Sequence, residues 1–249
     1  HVLRAEKIVL LATKTNTYYS RYCKMAYTEA FKRLGYTFDV MNCPSKRCGI
    51  MANTGQADGV MTRVFDYNKT FPNLVRVNYM FFQHRILAYA ADPSVKLNGW
   101  PSLADTDFQV AFLHGSVRLT NRLAKLVNTD NLQPVTSSRQ GLFMLIHGRN
   151  DLLISIEALS LPEMVQSDKD RFFLRSVKYD KAEKKSSDVY PSPIYVAGIL
   201  ETVDSYPFLH KKHKKLAPKM AGMLQKMEQE GLLEKYKASV GLQSNIKSK

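Results

Sequence analysis

The residues able to do chemistry in this chain are few, and their spacing points to binding rather than to bond making. Arg63 follows the short apolar run Val60-Met61, at the expected end of a strand. A guanidinium there can form a bidentate pair with a carboxylate or phosphate, and the alternative is a surface ion pair. Tyr67 lies four residues on and shares that face if the segment is helical, although it reads equally well as a packing residue. His114-Gly115-Ser116 marks a turn between an expected strand and an expected helix. Backbone N–H groups and the Ser116 hydroxyl at that junction sit at the positive end of the helix dipole, which suits an anion; the alternative is a plain N-cap. Arg118 falls in the first turn of the same helix, where a cation opposes the dipole, so either a specific use or simple exposure accounts for it. Asn16, Tyr18 and Tyr19 follow the first expected strand, and polar and aromatic side chains there suit orienting and stacking a ligand.

Signatures of catalysis and cofactors are missing. No Gly-x-Ser-x-Gly elbow surrounds the serines near His114 or His147. His210 and His213 stand in a lysine-rich run without a glutamate between them, which argues against zinc. No phosphate loop or dinucleotide fingerprint occurs, so no cofactor and no metal are expected and the chain reads as a non-enzyme. Cys43 and Cys48 bracket a polar turn at a spacing that matches neither redox nor zinc motifs; in an oxidising compartment they form a disulfide, otherwise two free thiols. Cys23 sits inside an expected helix, where a small buried hydrophobe is the expected role.

The balance of charge is +14 over 249 residues, with much of the excess in two runs, around 181–185 and at 210–215. A basic surface of this size raises nucleic acid, an anionic membrane and an acidic ligand, beside a merely solvated face. Neither run is interleaved with aromatics for stacking on bases, so nucleic acid is disfavoured. No stretch approaches the roughly 18 consecutive apolar residues of a spanning helix. A first residue His1 in place of Met fits a removed export signal or a trimmed chain, which the sequence does not separate.

The elements that must position these residues follow an alternating plan. Lys7-Ile8-Val9-Leu10-Leu11-Ala12 reads as a strand, and residues 20–34 as an amphipathic helix stopped by Gly35. Residues 36–40 alternate as a second strand, which completes a βαβ unit. A short helix at 49–53, a turn at 55–59 and a strand beginning at Val60 come next. A strand at 86–90 leads to a second alternation: strand 108–113, helix 117–127, a strand at Val135, helix 139–147 and strand 151–156. Phe172 opens a further strand, 178–193 reads as a return loop, and 216–236 as a helix broken at Gly231. Two α/β units of similar plan place a ligand between them, at the carboxyl ends of the strands.

The segment Ala52-Asn53-Thr54-Gly55-Gln56-Ala57-Asp58-Gly59-Val60-Met61-Thr62-Arg63-Val64 resembles the stretch of the family-3 extracellular solute-binding proteins in which a helix, a Gly turn and an Asp lead into the third strand. Phe71-Pro72-Asn73-Leu74-Val75-Arg76-Val77, Ser102-Leu103-Ala104-Asp105 ahead of 108–116, the run 141–151 and the closing run 227–236 follow in the family's order. The resemblance covers roughly residues 6–237. It implies the two-lobed type II periplasmic binding protein fold, an α/β architecture in which each lobe is a mostly parallel sheet flanked by helices. Residues 1–89 would form the first part of lobe I, 90–189 lobe II, and 190–249 the return segment and C-terminal helices of lobe I. It further implies a monomeric periplasmic protein that captures a small polar solute by hinge closure near 89–92 and 189–195 and hands it to an ABC-transporter permease; the +14 charge and Arg63, not the resemblance, point to an anionic one. A sensory module and a dehydratase are the rival uses of the fold. Related proteins also use the 115–116 junction for ligand and place an acid near Glu157 to bind a ligand cation. In amino-acid binders of the family an Arg in a Thr-Pro-x-Arg context holds the ligand carboxylate; Tyr67-Asn68-Lys69-Thr70 stands here, without that Arg.

Overall fold

A computed structural model of the chain describes residues 5–13, 17–114, 116–156, 165–168, 171–175 and 189–241. It divides into two compact units, residues 1–83 with 204–249, and residues 84–203. The chain passes between them inside two strands, β5 (Phe82–Ala90) and β11 (Val189–His210). The crossings expected at 89–92 and 189–195 lie at the far end of β5 and over the first residues of β11.

The first unit is built on β1 (Lys7–Ala12), which pairs in parallel with β2 (Thr37–Asn42) on one side and β3 (Gly59–Val64) on the other. Alternation along β1 feeds two cores. Ile8, Leu10 and Ala12 meet α1 (Tyr18–Arg33) together with the closing helices α6 (Leu216–Gln229) and α7 (Leu232–Ser239). Leu11 packs with Ala52 of α2 (Ser45–Asn53) and with Val60 and Phe208. One crossover helix therefore covers each face of the sheet, as right-handed βαβ connections on both sides of a parallel sheet require. The C-terminal part of β11 runs antiparallel to β3, with Tyr206 opposite Arg63 and Leu209 opposite Gly59, and it also pairs with β4 (Leu74–Arg76). Gly59 is needed at that approach, because a side chain there would run into the Phe208 carbonyl. The break between α6 and α7 falls at Gly231, whose φ of 70° is the left-handed conformation glycine adopts at least cost.

In the second unit β8 (Leu152–Ile156) and β7 (Leu132–Val135) flank β6 (Val110–Leu113) in parallel, while β5 pairs antiparallel with β8. Helix α4 (Val117–Leu123) sets Leu119 and Leu123 into one core with Trp100 and Leu103. Helix α5 (Ser138–Ile146) sets Leu142 and Leu145 into another with Leu87, Leu153 and Ile194. The return segment is where the sequence reading needs correcting. Residues 178–188 lie outside the described residues, but from Val189 the chain is strand rather than loop, pairing antiparallel with β10 (Arg171–Arg175), which itself pairs with β9 (Val165–Asp168). Pro191 and Pro193 read as breakers. Their fixed φ is nonetheless compatible with an extended strand, and only an N–H is lost.

Candidate functional site

In the first unit the chain leaves β1 for a helix on one face and enters β3 from a helix on the other. From their carboxyl ends the neighbouring strands β1 and β3 lead to α1 and to the turn at Phe65, and such carboxyl ends are where open α/β sheets take ligands. Tyr18 and Tyr19 open α1 at this edge; Thr17 caps the helix, its Oγ1 accepting from the Ser20 N–H at 3.1 Å while Ser20 Oγ accepts from the Thr17 N–H at 2.8 Å. Asn16 lies outside the described residues. Tyr19 packs edge-on against Phe82 at 4.9 Å, and Tyr18 lies 4.8 Å from the Arg21 guanidinium.

Arg63 is the half-buried cation of this edge. Its Nη1 donates to the Thr62 carbonyl at 2.7 Å, whereas Nε and Nη2 are buried and have no hydrogen-bond partner among the described residues. Those two nitrogens form one edge of the guanidinium, the pair of parallel donors that fits a carboxylate or phosphate. Leaving buried donors unmade costs about 1–3 kcal/mol each. Tyr67, first residue of the single turn α3 (Tyr67–Thr70), holds its ring 5.4 Å from that guanidinium and is itself wedged against Phe71 and Phe208 at 4.8 and 5.7 Å. Its ring thus packs against these two phenylalanines and flanks Arg63.

The remaining groups of this unit hold structure. Cys43 and Cys48 are joined by a disulfide with Cα atoms 5.6 Å apart, tying the end of β2 to α2. Cys23 is a buried free thiol, pushed upward in pKa by that burial. Asp58 accepts from the Val9 N–H at 2.8 Å and from Lys212 Nζ and His213 Nε2 at 2.7 Å each, so it anchors the turn after β11 to β1. Burial would raise its carboxyl, but the Lys212, Val9 and His213 contacts outweigh it and hold the group below the usual carboxylate range. The basic run Lys211–Lys215 lines an open depression of about 660 Å³ with Glu6 and Tyr36, at the amino end of β1 and away from Arg63. Among the described residues no group of three or more His, Cys, Asp or Glu side chains could hold a metal ion.

In the second unit Ser116 precedes α4. Its carbonyl accepts from the Thr120 N–H and hydroxyl at 3.0 Å, and its own hydroxyl makes no capping bond. Gly115 and Glu157 lie outside the described residues. Arg118 is already engaged: Nη2 donates to Glu201 of β11, whose other oxygen accepts from Trp100 Nε1 at 2.9 Å. Arg122 stands 5.9 Å from the Trp100 ring. Burial pushes the Glu201 carboxyl up, yet the hydrogen bonds from Arg118 and Trp100 and the two arginine charges leave it below its ordinary value. The cation that opposes the dipole of α4 is explained by this partner. Glu201 escaped the sequence reading, although it is the sole acid between residues 189 and 203. Asp151, whose Oδ2 accepts from the Gln109 N–H at 2.7 Å, is a turn residue.

Two α/β units, joined by two strands and each carrying parallel strands flanked by helices, make the type II periplasmic binding protein fold of the family-3 extracellular solute-binding proteins. A mutant of ArgBP from T. maritima superposes with a TM-score of 0.62 at 10% identity, over 94% of each chain. A histidine kinase sensor domain with similarity to periplasmic binding proteins gives 0.62 at 12%, over 96% of each. The ancestral amino-acid-binding protein AncCDT-1, a precursor of cyclohexadienyl dehydratase, gives 0.60 at 13%, over 94% of each. At these identities the likeness is one of fold. No family model matches the chain. An uncharacterized protein of Shewanella oneidensis is 30% identical over 226 residues, which cover 89% of this chain and 76% of that protein, and the chain belongs to its family. No helix among the described residues is long and apolar enough to cross a membrane.

Proposed function

We propose that this chain is a periplasmic solute-binding protein that captures a small anionic solute and delivers it to the permease of an ABC importer, without catalysing a reaction. The observation that carries the reading is the unpartnered Nε/Nη2 edge of Arg63 at the carboxyl end of β3. A carboxylate bound there would satisfy two buried donors at once, with Tyr67 beside it and Tyr18 and Tyr19 at the same strand edge. Capture would proceed by closure of the two units about β5 and β11, with Asn16, Gly115, Ser116, Arg118 and Glu157 as further candidates for contact; for Arg118 this means releasing Glu201. Native mass spectrometry of the purified protein, followed by thermal shift and small-angle scattering with the solute recovered, tests the reading. A co-purifying anion that raises Tm and compacts the particle is expected. Failure of every carboxylate and phosphate solute to stabilise or compact it would sink the proposal.

A sensory role is the second reading, supported by the fold likeness to a histidine kinase sensor domain, which equals that to ArgBP. Both uses share the Arg63 site and differ in the membrane partner. Crosslinking in cell envelopes to either a permease or a kinase separates them.

A further inference from the structure

We infer that the solute held by Arg63 carries a planar apolar group, aromatic in the simplest case, and that Phe65 is the platform on which this group lies. The inference rests on the Arg63 reading and adds the class of solute to it. Phe65 comes immediately after β3, two residues beyond Arg63, and keeps 53% of its surface exposed. Single exposed apolar side chains are ordinary on protein surfaces, but they are seldom fixed. This one is. The Arg76 guanidinium lies 3.5 Å from the ring centroid and is itself held by bonds to the Phe65 carbonyl at 2.9 Å and to Asn78 Oδ1 at 3.0 Å. Tyr206 meets the Phe65 ring edge-on at 5.5 Å and also lies 5.3 Å from the same guanidinium.

Tyr206 ties this cluster to the anion site, because it is the direct cross-strand partner of Arg63. Directly opposed residues of an antiparallel pair project to the same face, so the Arg63 and Tyr206 side chains share one face of the sheet, with the Phe65 ring against Tyr206. With Arg76 behind one face, the accessible part of the Phe65 ring is depleted of electron density. It then stacks well against a neutral or electron-rich plane and poorly against a second cation. Arg63 and Arg76 together repel a guanidinium or ammonium group at this place. The geometry thus selects a planar carboxylate and disfavours a cationic amino acid.

Calorimetry with matched carboxylates tests this. Benzoate, 3-phenylpropanoate and indole-3-acetate form one set, hexanoate and octanoate the other, and L-arginine the cationic control. We expect the ring-bearing set to bind at least tenfold more tightly than the aliphatic set and L-arginine to give no heat. Phe65→Ala should abolish the tenfold preference while keeping aliphatic binding, and Phe65→Tyr should restore it. Equal binding of both sets, or a preference unchanged in Phe65→Ala, overturns the inference and leaves the Arg63 reading standing. If neither set binds while phosphate or another anion does, the platform is likewise refuted. If no anion binds at all, the Arg63 reading falls first and takes the platform with it.

Discussion

Replacing Arg63 by methionine separates a binding arginine from a structural one, because the two roles give opposite signs. In the solute-free protein the substitution removes two buried donors without partners, each costing about 1–3 kcal/mol. It also removes the bond from Nη1 to the Thr62 carbonyl and the contact with the Tyr67 ring, together about 2–4 kcal/mol. The thioether keeps much of the side-chain volume. Taken at mid-range the balance is about +1 kcal/mol, which for a chain of this size is a Tm raised by about 2–4 °C. The solute effect moves the other way. A ligand at a hundred times its Kd stabilises the wild type by about 2.7 kcal/mol, and that increment should vanish in Arg63→Met. Differential scanning fluorimetry with and without the solute recovered by native mass spectrometry reads both quantities on one plate. A solute-free Tm several degrees below wild type, with the ligand shift retained, would refute the reasoning and return Arg63 to the ranks of packing residues.

Three other outcomes follow from the same geometry. Glu201→Gln should destabilise the second unit by about 1–3 kcal/mol, and a double-mutant cycle with Arg118→Met should give a coupling of at least about 0.5 kcal/mol; additivity would mean that the ion pair contributes nothing. Iodoacetamide should label no cysteine in the native protein, one after denaturation without reductant and three after denaturation with it, as mass spectrometry would count. Tm should fall as pH drops from 5 to 3: Asp58 and Glu201 hold native pKa values below the unfolded ones of about 4, so their stabilisation is present above that range and lost as pH falls through the folded values. His210 adds a loss below about pH 6.5, because burial and then Lys212 and Lys211 lower its native pKa, so the unfolded chain takes up the proton first. A flat or rising Tm over either window contradicts these assignments.

What could be read in advance was what depends on neighbours along the chain. The strand 7–12, the helix after it and the Gly231 break all announce themselves by local period or by a residue needing a left-handed backbone. Arg63 was also legible, as a cation at the end of an apolar run. Beyond reach was whatever tertiary pairing decides. Glu201 and Arg118 stand 83 residues apart, and no local pattern joins them. Phe65, Arg76 and Tyr206 come from a turn and two strands whose adjacency only the antiparallel return of β11 creates. That return was itself concealed by Pro191 and Pro193, which sequence reasoning treats as punctuation.

The difference from the amino-acid binders then has a structural form. Where their pattern places a carboxylate-holding Arg, this chain has Thr70, exposed at the end of a single helical turn. Its own guanidinium stands seven residues earlier, on the strand rather than beyond it, and is flanked by Tyr67. A strand position fixes a side chain more firmly than a loop does, and here β11 pairs with the Arg63 backbone on one side. On the proposed reading, an anion held by Arg63 would lie toward Tyr206 and the ring it touches. An α-amino acid seated on such a clamp would have to place its ammonium among the cations Arg63 and Arg76. If Arg63 is the clamp we propose, the solute that fits it electrostatically is an anion without that ammonium.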